Sequence, residues 1–224
     1  VNVCTTQKTA VMDMIYKILL GLHIATGFTA LLVGLIALIA KKGQKLHKRS
    51  GMIFFIAMLG VSFSALFMSY LKPSVFLFHI GIFALYQNFS GFRATRNKSL
   101  KPATIDWFML SISAVNSVMM IYTFNIVLVV FGFISASLVF GELRIYISHL
   151  RNREVPKLQW LTQHIGMMIG TYIATSTAFV VVNVSNVNPS WLPWILPTVF
   201  GVPLIVYFTR KFVPKPKSKV EIKA

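Results

Sequence analysis

Seven long runs of apolar residues, each nearly free of charge, limit what this chain can become. They fall at about 14–40, 51–71, 74–92, 105–121, 125–147, 159–182 and 191–209. A bilayer core about 30 Å thick takes about 20 apolar residues to cross as an α-helix. Strands of a membrane barrel would be shorter and would alternate polar with apolar positions, and these runs do not. The narrowest division lies between the fourth and fifth runs, where only residues 122–125 intervene; read as one helix, the pair is too long for even a tilted span. Composition agrees: 56% of residues are hydrophobic and 12% charged, against about a quarter charged in soluble domains. A cytosolic enzyme is excluded. The expected fold class is all-α, a polytopic membrane protein built as a bundle of seven transmembrane helices.

Charge placement supplies the threading. The chain carries 22 Lys and Arg against five Asp and Glu, a net +17. With seven spans, the cations at 41–49, 93–101, 144–157 and 210–223 all lie at one end of the bundle, and only Lys8, Lys17 and Lys72 remain at the other. Basic loops stay cytoplasmic, so the N-terminus is expected outside and the C-terminus inside. This divides the chain into an extracytoplasmic segment 1–13, a membrane domain 14–209 and a basic cytoplasmic tail 210–224. Trp107 and Trp160 then mark the inner interface and Trp191 and Trp194 the outer one. The basic loops are expected to meet anionic inner-leaflet headgroups. They lack the interleaved aromatics of a nucleic-acid surface, so no nucleic-acid partner is expected; a homo-oligomer is compatible with the pattern. No cleavable signal peptide is read at the start, and a chain opening on Val1 leaves room for residues before it.

Small residues suggest the packing. Gly27, Ala30, Gly34 and Ala37 share a face of span one, and Gly166, Gly170, Ala174 and Ala178 share a face of span six; such faces let helices approach closely in lipid. Spans one and six are therefore expected near the centre of the bundle. Pro197 and Pro203 in span seven each remove an interior hydrogen bond and are expected to kink it.

Ionisable groups inside spans are expensive and mark sites. His23 and His79 enter from the outer end to similar depth, on the first and third spans. Tyr86 and Ser90 continue the polar stripe of His79, and Gln87 and Asn88 lie beside it. The inner half holds Glu142, with Ser135, Tyr146 and His149 on its face, and His164 in span six. Asp106 and His47 stand at the inner boundary. Glu142 is the acid clearly within a span, and His164, then Arg93, are its expected partners.

Three readings follow. Two histidines on neighbouring helices can ligate haem b for electron transfer; His23 with His79 is the outer pair, and His164 with His47 or His149 the inner one. Glu142 and His164 could instead titrate in the cavity of a proton-coupled solute carrier. Or the polar groups satisfy one another and fix helix register, with no catalytic or transport role. A catalytic zinc site lacks its three convergent ligands, so no metal site is assigned. Cys4 is the one cysteine, which excludes a disulfide framework. P-loop, dinucleotide and serine-hydrolase motifs are absent. Asn183 and Ser185 fit a glycosylation acceptor that falls at a membrane boundary.

Several of these residues form a familiar outline. His23 followed by Gly27 and Gly34, then Leu46, His47 and Gly51 leading into span two, resembles a bacterial family of predicted membrane proteins known as domain of unknown function 2306. His164 ahead of Gly166 and Gly170 is similar to the His-led late helix of related sequences. Lys48 stands where an Arg often follows the loop histidine, and the late helix departs from the form usual in the family. The resemblance implies a multi-helix bundle with recurrent histidines, in a bacterial inner membrane. It implies no activity.

Overall fold

The computed structural model describes residues 3–184 and 187–213; for residues 3–8 only the backbone is described. The tail beyond Val213, the side chains of Cys4 and Lys8, and Ser185 of the glycosylation acceptor therefore lie outside the described residues. Among those described, the chain forms seven α-helices: α1 (Val3–Ile39), α2 (Lys45–Leu71), α3 (Val75–Arg96), α4 (Thr104–Tyr122), α5 (Ile126–Leu150), α6 (Gln159–Asn183) and α7 (Leu192–Phe212). Each is long and apolar enough to cross a membrane. The expected runs are all present. α1 starts about ten residues earlier than its apolar run, and α2 takes in the basic turn 45–50.

Local chemistry sets the breaks. Between α4 and α5, Asn125 accepts from the backbone N–H groups of Val127 (3.1 Å) and Leu128 (3.2 Å) and so starts a new helix, while the hydroxyl of Thr123 donates to the Met120 carbonyl at the end of the old one. Ser74 caps α3 through Leu77 N–H. At the start of α4, the Asp106 carboxylate accepts from Ala103 N–H at 2.8 Å, supplying a partner to one of the four N–H groups that a helix start leaves free.

The interior mixes polar with apolar side chains, while the outside is apolar. Buried positions of α3 are His79, Gly81, Phe83, Ala84, Tyr86, Gln87, Asn88, Ser90, Gly91 and Ala94, whereas Ile53, Ile56, Phe63, Phe67, Phe108 and Phe133 of its neighbours are exposed. In water that arrangement would be inverted; in lipid it costs nothing, because acyl chains are as apolar as leucine and packing is driven by close fit and hydrogen bonds.

α3 is the hub, packing on α2, α4, α5 and α6. This corrects the expectation for span one. α1 lies at the edge, chiefly against α2, and its small face is filled by side chains: Gly34 faces Tyr172 and Phe54. α6 is nearer the middle, between α3, α7 and α1, but Ala178 of its small stripe is exposed and the residues it buries are Ile165, Met167, Ile169, Thr171, Thr175 and Thr177. α7 is a continuous helix with Pro197 and Pro203 inside it; among the described residues its backbone approaches α6 alone, and its first turn also meets α3 where Trp194 packs edge-on to Phe76.

Candidate functional site: two histidines in a basic-ended cavity

Contacts between distant segments bring the basic stretches to one end. Lys42 lies over Phe208 and Lys98 over Trp160, joining the first two basic loops to the ends of α7 and α6. At the other end, Asp13 pairs with Lys72 at 3.1 Å and Phe76 meets Trp194.

Within the basic end a cavity of about 690 Å³ opens among α1, α2, α3, α6 and α7. Phe54, Phe92, Trp160 and Tyr172 are among its apolar walls, and Lys42, Lys48, Arg96 and Lys98 are its cations. Both His47 and His164 line it. Their ring centroids are 6.4 Å apart and the planes are near perpendicular, at 89°.

The hydrogen bonds of these rings fix their protonation pattern. His47 Nδ1 lies 3.0 Å from the carbonyl of Ala37, in the last turns of α1. His164 Nδ1 lies 2.9 Å from the carbonyl of Gly91 in α3. A carbonyl only accepts, so Nδ1 carries the hydrogen in both and Nε2 keeps the lone pair. Neither Nε2 has a hydrogen-bond partner among the described residues. Gly91 is itself required there: a Cβ would stand 3.0 Å or less from Met167 and Met168, so a larger residue would push α6 off α3 and stretch the His164 bond.

The outer histidines share the tautomer but not the site. His23 Nδ1 donates to the Val61 carbonyl (3.1 Å) and Ser64 Oγ (2.9 Å) of α2. His79 Nδ1 lies 2.7 Å from Asn116 Oδ1 of α4, while Asn116 Nδ2 donates back to the His79 carbonyl. The backbones of α1 and α3 do not approach one another. The outer pair is therefore corrected: matched depth put both histidines at one level, but α2 takes one and α4 the other.

Glu142 also departs from expectation. Its partners are neither His164 nor Arg93. Tyr86 donates to Oε2 at 2.5 Å and Tyr146 to Oε1 at 2.7 Å; Ser90 donates across both oxygens and Gln163 Nε2 to Oε1 at 2.7 Å. Gln163 also donates to Ser90. Hydroxyl and amide dipoles from α3, α5 and α6 thus do the work expected of a cation. Arg93 instead grips Asp106 with two bonds, at 2.8 and 3.0 Å, tying α3 to α4. Neither Glu142 nor any of its four partners lines the cavity.

The remaining predicted residues fall in place singly. Asn88 donates to the Phe55 carbonyl of α2, leaving its own Oδ1 buried without a partner. Gln87 lays its Oε1 against Gly170, where a Cβ would collide with it. Ser135 bonds Ser117 rather than anything near Glu142. His149 Nε2 is buried without a partner, and the inner pair is formed by His47. Thr171 and Thr175 donate to carbonyls of their own helix. Reasoning from sequence missed Asn116, Gln163 and Lys42. A lone Asn inside the fourth apolar run was the available signal for the first, and for Gln163 its place beside His164. Among the described residues no group of three His, Cys, Asp or Glu converges as a metal site.

Residues 20–115 match the family of predicted membrane proteins DUF2306, which bears out the resemblance carried by His23, Gly27, Gly34, Leu46, His47 and Gly51. The matched stretch runs from α1 into α4 and includes His23, His47 and His79, but neither Glu142 nor His164. No curated protein and no solved structure matches the chain.

Proposed function

We propose that the cavity holds haem b between His47 and His164 and that the protein transfers electrons within the membrane. The observation that carries this reading is that two histidines, both bonded through Nδ1, line one cavity. Each Nδ1–H is tied to a backbone carbonyl of another helix, which orients the ring and leaves Nε2 as the free donor on a residue of the cavity wall; histidine ligands are held in this way. The separation suits it: with metal–imidazole bonds of about 2 Å, two rings facing across one metal hold their centroids roughly 6 Å apart, and here the figure is 6.4 Å. Edge-to-face packing would suit the same distance; what favours a ligand pair is that both rings line the cavity with Nε2 unpartnered among the described residues.

The walls fit the same ligand. Haem is a flat apolar ring with two carboxylates on one edge. Phe54, Phe92 and Tyr172 supply apolar surface and exclude water, and Lys42, Lys48, Arg96 and Lys98 supply charge for an acidic edge. The volume lies within the few hundred to a thousand Å³ usual for such ligands. Haem held by His47 and His164 would supply one-electron chemistry. The carrier reading has less support, since Glu142 sits in a closed cluster away from the cavity. We place the basic end, and with it the cavity, on the cytoplasmic side of a bacterial inner membrane, by the positive-inside rule and the family resemblance.

The test is an absorption spectrum, reduced minus oxidised, of protein made with haem in excess. Wild type and His79→Ala are expected to show the Soret and α bands of a six-coordinate b-type centre. His47→Ala and His164→Ala are each expected to lose them. Absence of the bands from wild type overturns the proposal.

A further inference from the structure

One wall of the cavity is closed by no helix pair. α1 and α7 make no backbone approach among the described residues, yet Leu38 from the end of α1 and Phe208 and Phe212 from the end of α7 line the same space. Lys42 spans the seam. Its Nζ sits 4.4 Å from the centre of the Phe208 ring and donates to the carbonyls of Ala37 (2.9 Å) and Leu38 (2.5 Å). An ammonium has three hydrogens, so two hold the end of α1 and the third is left for an acceptor. Burial lowers the Lys42 pKa below the ordinary lysine value, the mark of a cation that is short of water.

α7 is built to yield on this side. Pro203 offers no N–H to the Val199 carbonyl, and Pro197 none to that of Pro193, so two rungs of the helix ladder are missing. Gly201, between them, is buried at a point where a Cβ would run into Ile173 of α6. The helix thus comes closest to α6 at Gly201, and the length beyond Pro203, which carries Phe208 and Phe212, is only partly buried.

We infer that the seam between α1 and α7 is a lateral entrance, through which an amphiphile with an acidic head passes from the bilayer into the cavity, and that Lys42 on Phe208 is its latch. An anionic oxygen is a better partner for an ammonium than a ring face is, so the arriving head displaces Phe208 from Lys42. The apolar body follows between Leu38 and Phe212 and comes to rest on Phe54 and Tyr172. Arg96 and Lys98 stand on the same cavity to share the charge. That the amphiphile is haem rests on the function proposed above; the entrance does not.

The test uses the full chain in lipid nanodiscs, with Cys4→Ser and with Lys42→Cys and Phe208→Cys joined by a short reducible thiol bridge. Two probes are offered from the lipid: hemin, read by its Soret band, and stearic acid carrying a photoreactive diazirine, read by residue-level mass spectrometry. In wild-type protein, hemin is expected to bind and the stearate to label Phe54, Met168 and Tyr172; the unbridged double cysteine, which lacks the Lys42 cation, is expected to take up both more weakly but measurably. The bridge is expected to slow hemin uptake, and to reduce labelling of those three residues, at least tenfold. Lipid-facing Ile53 and Phe63 should stay labelled, and reduction of the bridge should restore both signals. If the stearate is blocked by the bridge but hemin never binds, the entrance stands and the haem reading falls. If hemin binds at a rate indifferent to the bridge, the entrance falls and haem stands. If neither probe reaches the cavity of the wild-type protein, the entrance is overturned.

Discussion

Glu142 is a carboxylate held inside a membrane bundle by four neutral donors. Its two oxygens take hydrogen bonds from Tyr86, Ser90, Tyr146 and Gln163, and bonds to a charged acceptor are roughly twice as strong as neutral ones. Glu142→Gln places an NH₂ group among these donors, which breaks bonds and faces hydrogen with hydrogen. It is expected to cost about 1–3 kcal/mol. Tyr146→Phe removes one donor of the four and should cost less, about 1–2 kcal/mol. Thermal unfolding in detergent checks both, and a Tyr146→Phe loss larger than that of Glu142→Gln would contradict the picture of a shared anion cradle. The sequence showed that Glu142 needed a partner but pointed to the wrong ones. Matching acid to base by depth names His164 and Arg93. Which way each helix is rotated decides otherwise, and rotation is poorly encoded when the lipid-facing side is as apolar as the core. Tyr146, at i+4 from Glu142 on the same helix, is the one partner that this register placed on its face.

At the scale of elements, two glycines and two prolines separate a rigid half from a loose one. Gly91 sets the spacing of α3 and α6. Gly91→Ala forces Met167 and Met168 aside and is expected to destabilise the fold by about 1–3 kcal/mol. Under the proposed haem reading it should also lower haem retention, because the Gly91 carbonyl orients His164. Unfolding and reduced-minus-oxidised spectra measure the two effects on one sample. The small stripe read on α6 located this contact only in part, since the glycine that brings the backbones together belongs to α3, where it follows a polar run. The seven helices themselves were legible, because apolar length is a property of each segment alone. α7, held by α6 and lacking two ladder bonds, should open far more readily than α3, which four helices surround. Amide hydrogen exchange is therefore expected to be faster over 204–212 than over 83–94; equal protection would remove the basis for a mobile end of α7.

At the scale of the molecule, sidedness governs what the cavity can meet. The grouping of cations follows from parity: an odd number of crossings puts the first, third, fifth and last connections together, and the contacts of Lys42 with Phe208 and of Lys98 with Trp160 join ends that parity assigns to the same face. Packing alone is blind to which face that is. The positive-inside rule chooses, since moving basic loops outward opposes the membrane potential at about 2.3 kcal/mol per charge per 100 mV. With Cys4→Ser as background, single cysteines at Lys41, Lys101 and Arg153 are expected to resist an impermeant maleimide in intact cells and to react once the membrane is opened. Cysteines at Pro73 and Tyr122 are expected to react at once. Under the proposed haem reading, an electron donor or acceptor would then approach from the cytoplasmic side or along that leaflet. The reverse labelling pattern would keep the fold and the cavity intact but open the cavity to the opposite face.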